Sequence, residues 1–358
     1  MTATAATDDR HPGVEVVCLG ESMVTFLPAR PGRLADVPSF DRTIGGAESN
    51  VACALAAAGH RVRWISRVGA DGFGDHLTEA IAAYGVDTSG VRRDQDRPTG
   101  IYFRTATDRA DAAHEVAYYR AGSAASAMAP GNPPRDDLWA GRVLHLSGIT
   151  PALSDGCLAL TRELTTRAPG RPLVSFDVNH RPGLWRRASD ARVLLELARG
   201  ADLVLVGEDE AAEAWDVHGA DAIRAALPEP ATVVVKRGAA GATAYTRTQE
   251  STGDRRTAAG DTVTSVPAPR VDVVAPVGAG DAFAAGFLSA TLRGLPTAAR
   301  LRHGHLMAAA ALTVPGDLGA PPSRAAADRL AALDDADWGT LRLGPGWTAA
   351  TETEVGSP

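Results

Sequence analysis

A run of small residues leads directly into an aspartate within residues 275–288, APVGAGDAFAAGFL. Gly278, Ala279 and Gly280 carry no bulky side chains, so their backbone N–H groups can approach an anion closely. The apolar pattern that follows predicts a helix, whose positive dipole end adds to the attraction. Asp281, in the first turn, is either a simple N-terminal cap or a base that faces the bound anion. A base there suits the deprotonation of an acceptor hydroxyl during phosphoryl transfer.

A second glycine-rich turn, 45-GGAESNVACALAAAG-59, also leads into a helical pattern. Such a turn lets a small polyhydroxylated ligand approach the backbone, with Asn50 available to hydrogen-bond its hydroxyl groups. The alternative is a tight strand-to-helix turn that needs glycine only for packing. The chain has no GxxxxGK[ST] motif and no HRD and DFG pair, so a phosphotransferase of this sequence belongs to another type.

Short apolar runs alternate with Ala- and Leu-rich helical stretches along most of the chain. Nearly continuous apolar strands separated by helices predict an α/β fold, in which a parallel sheet is covered on both faces. The predicted strands are residues 14–20, 61–69, 143–148, 173–178, 202–207 and 232–236. The predicted helices include residues 47–59, 155–167 and 189–200.

Two segments interrupt this alternation, at about residues 24–44 and 98–120. Each reads as short extended pieces joined by polar turns, so they form either a small separate β layer or ordinary surface hairpins. A separate β layer beside the sheet would work as a lid. The sequence therefore predicts a single domain over residues 14–340, with disordered tails at residues 1–13 and 345–358.

Composition excludes several classes of function. The 358 residues are 45% hydrophobic and 22% charged, and the net charge of −7 offers no electrostatic footprint for nucleic acid or an anionic membrane. Three scattered cysteines argue against a disulfide or zinc framework. No apolar run reaches the roughly 18 residues of a membrane span, and residues 1–13 lack a signal-peptide core. We therefore expect a soluble, cytoplasmic protein.

The basic residues are arginine with one exception, Lys236. A general arginine excess is explained by codon usage. That lysine remains at position 236 indicates that this position needs a compact ammonium group, which the planar guanidinium group of arginine cannot replace.

Taken together, the two glycine-rich stretches resemble the two signatures of the ribokinase-like, or PfkB, family of carbohydrate kinases. The similarity extends from about Val14 to Leu333. The segments 66-SRVGADGFGD-75 and 235-VKRGAAG-241 match the VGxDxxG and KxGxxG segments of that family. One position departs from the pattern, because Ala275 stands where many members carry an aspartate.

The resemblance implies a ribokinase-like parallel sheet flanked by helices, with a small β lid and the substrate between lid and sheet. It implies that Asp281 is the catalytic base and that Gly278, Ala279 and Gly280 form the anion hole. ATP would be the phosphoryl donor, with Mg²⁺ bridging its phosphates and the metal-binding side chains unassigned. The residues implied beside ATP are Asn179, Arg181, Lys236, Gly238, Gly241, Gly278 and Gly280.

Within the family, the segments 99-TGIYF-103, 118-YYRAGSAAS-126 and 176-FDVNHRPGLW-185 resemble the 2-keto-3-deoxygluconate kinases. The residues implied to contact the sugar are Gly46, Asn50, Tyr102, Tyr118, Arg120, Arg181 and Asp317. Arginine suits the carboxylate of a sugar acid, since it can bind in a charge-assisted, bidentate way. Alternatively, Arg120 is a lid-surface residue and Arg181 serves only ATP.

The sequence therefore predicts an ATP-dependent kinase acting on a primary hydroxyl, with 2-dehydro-3-deoxy-D-gluconate as the leading substrate. A fructokinase, a ribokinase or another sugar kinase on the same scaffold is the alternative, because a fold does not fix a substrate. A non-catalytic sugar-binding regulator is a further alternative, which Ala275 favours and the GAGD stretch opposes. An exposed lid strand also makes a homo-oligomer through the lid plausible.

Overall fold

The computed structural model describes residues 13–105, 115–185, 188–247 and 260–349. The strands within these ranges are β1 (Val16–Leu19), β2 (Met23–Pro28), β3 (Phe40–Gly45), β4 (Val62–Ile65), β5 (Arg67–Gly69), β6 (Arg92–Asp94), β7 (Ile101–Arg104), β8 (Val116–Tyr119), β9 (Val143–Ser147), β10 (Leu173–Asp177), β11 (Leu203–Gly207), β12 (Thr232–Lys236), β13 (Ala242–Arg247), β14 (Asp261–Val266), β15 (Arg270–Val271) and β16 (Arg342–Leu343). The α-helices are α1 (Ala47–Ala57), α2 (Gly72–Ala82), α3 (Arg135–Leu138), α4 (Asp155–Thr165), α5 (Val193–Gly200), α6 (Glu208–Trp215), α7 (Ala220–Ala226), α8 (Ala279–Leu292), α9 (Thr297–Leu312), α10 (Arg324–Ala331) and α11 (Asp335–Thr340).

The main sheet has eight strands in the order β14-β13-β12-β11-β10-β9-β1-β4. The six strands from β4 to β12 in this order are parallel, whereas β13 and β14 extend the sheet in antiparallel fashion. All six predicted strand regions contribute a strand to this parallel part, so the predicted α/β fold is confirmed. Residues 61–69 divide into β4 and the short β5, which pairs with β6 instead.

Helices cover both faces of this sheet, and β1 shows why its sequence is apolar throughout. Val16 and Cys18 belong to one core cluster, whereas Val17 and Leu19 belong to the other. Successive side chains of a strand point to opposite faces, so a strand covered on both sides needs apolar residues at every position. Helices α1, α8, α9 and α10 pack in the first cluster, and α4, α5, α6 and α7 pack in the second.

The segments that interrupt the α/β alternation form a separate four-stranded sheet, in the order β3-β2-β7-β8. One of its faces carries stacked aromatic rings, with the Phe26 and Phe103 centroids 4.8 Å apart. The other face buries Tyr102 and Arg104, two residues apart on β7. Residues 106–114 of the predicted lid lie outside the described ranges. Tyr119 on the edge strand β8 is 65% exposed, and an oligomer through this edge stays a prediction.

The packed chain extends beyond the predicted C-terminal boundary. Residues 345–349 form a turn and a short 3₁₀-helix in which Trp347 is buried against the core, so these five residues are not a free tail. Residues 1–12 and 350–358 lie outside the described ranges. No helix in the part of the chain that the structure describes is long and apolar enough to cross a membrane.

Candidate active site

The turn of small residues that was predicted before Asp281 lies at the N-terminus of α8. Gly278 precedes the helix with a φ of 75°, in the left-handed region that favours glycine. A methyl group on Gly278 would also collide with the backbone carbonyl of Asp317. No side chain caps this end within the described residues, so the first-turn N–H groups of Ala279 and Gly280 can receive an anion.

Asp281 lies in the first turn of α8, but its carboxylate is held by other elements. The Asn50 side-chain amide, on α1, donates to Asp281 Oδ2 at 2.8 Å. The Asn179 amide, after β10, donates to Asp281 Oδ1 at 3.5 Å. Asn179 has a φ of 40°, unusual for a residue other than glycine, and such strained positions concentrate at functional sites. These contacts hold Asp281 as a positioned carboxylate and do not make it a helix cap.

The environment of Asp281 raises the pKa of its carboxyl towards neutral pH. Burial raises the pKa of the carboxyl to about 7, and repulsion from Asp177 and Asp317 acts in the same direction. The Asn50 hydrogen bond and the Arg181 charge oppose this rise in pKa. A general base works best when its pKa lies near the operating pH, because it is then both deprotonated and basic. The arrangement therefore suits abstraction of a proton from a hydroxyl group.

The only lysine of the chain lies beside the glycine-rich turn at the N-terminus of α8. A Cβ atom on Gly280 would lie 3.7 Å from Lys236 Nζ, so the ammonium group faces the proposed anion hole. Lys236 Nζ donates to both carboxylate oxygens of Asp177 at 2.9 Å. Burial favours the neutral amine, but Asp177, Glu210 and Asp281 prevail and the pKa of Lys236 is raised. Lys236 is therefore a fixed positive charge at the end of β12.

The turn after β12 supplies two more predicted residues. Gly238 and Gly241 have φ angles of 53° and 108°, and a methyl group on Gly241 would collide with the carbonyl of Val266. A cavity of about 470 Å³ opens beside this turn and is lined by α6, His218 and residues 236–238. This volume lies within the usual range of small-molecule sites. The turn therefore borders a cavity large enough for a small molecule next to Lys236.

The small sheet contacts the site through Tyr102 on β7, which interacts with Asp317. Tyr102 is buried, and its ring stacks on Tyr118 with centroids 5.4 Å apart. Tyr118 is 51% exposed, so only Tyr102 is enclosed within the described structure. Gly46 lies against the backbone of Glu21 and Ser22, with which any side chain would collide. The glycine at the start of α1 thus has a steric reason, as one of the two sequence interpretations proposed.

The two predicted sugar-binding arginines both have acidic partners. Arg120 forms an ion pair with Glu21, whose side chain is 1% exposed, and the Arg120 guanidinium carbon lies 5.8 Å from the Tyr118 ring centroid. The Arg120 side chain is only 9% exposed, so the alternative that placed it on the lid surface is wrong. Arg181 lies 3.5 Å from Glu210 Oε1 and donates to the His180 carbonyl at 2.8 Å. Neither guanidinium brings an uncompensated positive charge.

Asp317 contacts residues of both the small sheet and the candidate site. Arg104 Nη2 on β7 donates to Asp317 Oδ1 at 2.7 Å, and both side chains are buried. The Tyr102 hydroxyl and the Asn50 side chain also contact this carboxylate. Burial raises the pKa of Asp317, whereas Arg104, Asn50 and Tyr102 act to lower it.

The structure thus places Asn50, Asn179, Lys236 and Asp317 around Asp281 and the turn before α8, and it adds partners that the motifs did not reveal. The added residues are Glu21, Arg104, Asp177 and Glu210. Arg104 was detectable, since residues two apart on a strand share a face and Tyr102 was already assigned. Asp177 lies next to the end of a predicted strand, where functional residues of parallel sheets collect.

The carboxylates around Lys236 also bear on metal binding. In the described ranges, no group of three or more His, Cys, Asp or Glu side chains is arranged to hold a metal ion. Mg²⁺ in phosphotransferases usually keeps several waters and binds substrate phosphates with one or two carboxylates. Asp177 and Glu210, which both act on Lys236, are of the type and number that this role needs.

Comparisons with known proteins relate this chain to carbohydrate kinases. Residues 14–324 match the model of the pfkB family carbohydrate kinases. The chain is 35% identical over 318 residues to a 2-dehydro-3-deoxygluconokinase of Bacillus subtilis (strain 168), covering 87% of this chain and 93% of that protein. It is 30% identical to a probable chloroplastic fructokinase-6 of Arabidopsis thaliana, over 76% of this chain and 69% of that one.

A solved structure is similar over nearly its whole length. The uncharacterized sugar kinase PH1459 from Pyrococcus horikoshii, solved in complex with ATP, superposes with a TM-score of 0.72 at 25% identity, over 86% of this chain and 95% of that chain. The family match covers most of the sequence and includes every residue of the candidate site. The chain therefore belongs to the pfkB family of carbohydrate kinases.

Proposed function

We propose that this sugar kinase transfers the γ-phosphoryl group of ATP to the primary hydroxyl of a sugar acid. The leading substrate is 2-dehydro-3-deoxy-D-gluconate, which would give its 6-phosphate. The observation that carries the proposal is Asp281, a carboxyl with a pKa of about 7 in the first turn of α8, next to an uncapped anion-binding turn.

Each group at this turn has a part in the transfer. Asp281 takes the proton of the attacking hydroxyl, and Asn50 and Asn179 hold its carboxylate in place. The N–H groups of Gly278 to Gly280 stabilise charge on the transferring phosphoryl group. Lys236 adds a positive charge beside them. When bound, Mg²⁺ would neutralise phosphate charge, and Asp177 and Glu210 are the side chains proposed to hold it.

Unpartnered acceptors support a hydroxyl-rich substrate. The Oδ1 atoms of Asn50 and Asn179 are buried and have no hydrogen-bond partner among the described residues. Buried polar atoms are normally satisfied, so these oxygens are suited to accept hydrogen bonds from a ligand. Tyr102, buried on β7 of the small sheet, is placed to exclude water from the site.

The choice of a sugar acid depends on the arginines and on the relative named 2-dehydro-3-deoxygluconokinase. Glu21 fixes Arg120 in place, and the buried Nε atom of Arg120, which has no hydrogen-bond partner among the described residues, is available to a substrate carboxylate. The same ion pair supports the alternative, a fructokinase, because Arg120 and Arg181 are already compensated by acids. The relative named a probable fructokinase makes this the second candidate.

The deciding experiment measures ADP release from ATP and Mg²⁺ with the purified protein over a panel of acceptors. The panel contains 2-keto-3-deoxygluconate, 2-keto-3-deoxygalactonate, gluconate, fructose and ribose. We expect the highest kcat/KM for a keto-deoxy acid and loss of turnover in Asp281→Asn. Preference for fructose would keep the kinase and reject the sugar acid. Turnover by Asp281→Asn at the unaltered rate would reject the base.

A further inference from the structure

A buried ion pair joins the small sheet to the loop after α9. Arg104 is the last residue of β7 and is 3% exposed, and its Nη2 atom lies 2.7 Å from Asp317 Oδ1. These residues are 213 positions apart in sequence, so the pair forms only when the small sheet lies over the main domain. Breaking such a pair leaves a buried charge without a partner, so the contact resists opening.

The same aspartate is connected to the site on two sides. Its backbone carbonyl packs against the Gly278 Cα, where a methyl group would collide with it. Its carboxylate contacts the Asn50 side chain, which also donates to Asp281 at 2.8 Å. Asp317 is therefore in contact with both the anion-binding turn and the residue that orients the base.

We propose that Arg104 is a positioning residue that latches the small sheet shut through Asp317 and, through Asn50, holds Asp281 in its productive orientation. This inference rests on the proposed function of Asp281 as the base. It assigns to Arg104 a role in turnover that does not require contact with the sugar. Misplacement of a catalytic group by about 1 Å can cost about a hundredfold in rate, so a remote latch can control kcat.

A different role for Arg104 makes a different prediction. Its Nε and Nη1 atoms are buried and have no partner among the described residues, so they could instead bind an oxygen of the substrate. A residue that reads the sugar carboxylate affects KM for sugar acids selectively, whereas a latch lowers kcat on every sugar that the enzyme accepts.

The test compares kcat and KM of the unaltered protein with those of Arg104→Met, Asp317→Asn and the double variant. We expect kcat of Arg104→Met to fall at least about tenfold on every accepted sugar, with an unchanged KM for ATP. Because the pair acts as a unit, the double variant should be no slower than the slower single variant. A rise in KM confined to sugar acids, or multiplicative losses in the double variant, would overturn the latch.

A matched control variant distinguishes an effect of the latch on kcat from a general loss of folding stability. Arg224 is 8% exposed and pairs with Asp261 through two hydrogen bonds of 2.6 and 2.8 Å, on the far edge of the main sheet. Arg224→Met should lower the Tm while kcat stays the same. If Arg104→Met likewise lowers only the Tm, its role is structural and the proposal is wrong.

A conservative variant keeps the test decisive if Arg104→Met does not fold. Arg104→Lys retains the charge but makes a single-point contact, so its kcat should fall between those of the unaltered protein and of Asp317→Asn. An unaltered kcat in Arg104→Lys, or a change in sugar KM alone, would refute the latch. An inactive unaltered protein would refute the proposed kinase itself, which this design distinguishes from failure of the latch.

Discussion

Replacing Asp281 with asparagine should abolish turnover and at the same time stabilise the folded protein above pH 7. The pKa of this carboxyl rises from 3.8 to about 7 on folding, mainly through burial. Between these values the folded protein keeps a proton that the unfolded chain has released. The free energy of unfolding therefore falls as the pH rises through this window. Above about pH 7 the carboxyl is ionised in both states, and the loss of stability is complete.

The size of the effect follows from the same values. At about 1.4 kcal/mol for each pH unit, the ionised carboxylate costs up to about 4 kcal/mol. The side chain is only partly buried, so solvent reduces this to about 2 kcal/mol. Asparagine keeps the shape and an oxygen that accepts from Asn50, but it never ionises. Asp281→Asn should therefore raise the Tm by roughly 5 °C at pH 8, with little change at pH 4.

The assay is thermal unfolding of both proteins at pH 4, 6 and 8, together with ADP release at pH 8. Asp272→Asn is the control, because this aspartate is half exposed and pairs with Arg342 at the surface. It should show no stabilisation that grows with pH. A Tm of Asp281→Asn that is lower than that of the unaltered protein at pH 8 would refute the assigned burial cost. Retained turnover would refute the catalytic role.

Four further predictions use the same protein. Because Asp281 must be ionised to accept a proton, kcat/KM should fall about tenfold per pH unit below about pH 7 in a pH–rate profile, and a flat profile down to pH 5 would contradict this. Arg120→Ala should cost about 3–5 kcal/mol in urea unfolding by leaving the buried Glu21 carboxylate without its counter-charge, and the added change Glu21→Gln should restore part of it. In steady-state kinetics, the same Arg120→Ala change should raise KM more for a sugar acid than for fructose, and equal rises would show that Arg120 does not read the carboxylate. Lys236→Arg should lower kcat by at least tenfold, because a planar fork cannot keep the contact with Asp177 while facing the anion hole, and unaltered kcat would remove the need for an ammonium.

The parallel part of the fold could be predicted because its signal is local. A strand covered on both faces is apolar at nearly every position, as in Leu203–Gly207, where all five residues are buried. The antiparallel part of the main sheet has no such continuous apolar pattern in its sequence. Strand β14, Asp261–Val266, is mostly exposed and rich in threonine, so its residues resemble those of a polar loop. Its pairing with β13 depends on partners that sequence periodicity does not identify.

The candidate site likewise has features that could be predicted from the sequence and features that could not. The glycine turns could be predicted because close backbone contacts exclude side chains, as at Gly278 and Gly241. The acids that compensate the arginines could not, because an ion pair joins residues that are far apart in sequence. Glu21 lies 99 positions before Arg120, and no spacing rule connects the two. This is why the expected free positive charge of the sugar pocket is absent from the described structure.

The single lysine has a practical consequence for studying this protein. An amine-reactive reagent has one side-chain target, and that target lies in a buried ion pair at the anion-binding turn. A lysine-specific protease likewise has one cleavage point, at the end of the inner strand β12. Cleavage then requires this part of the sheet to open, so the cutting rate reports how often it does so. Protection by an added nucleotide would measure occupancy of the turn without any assay of turnover.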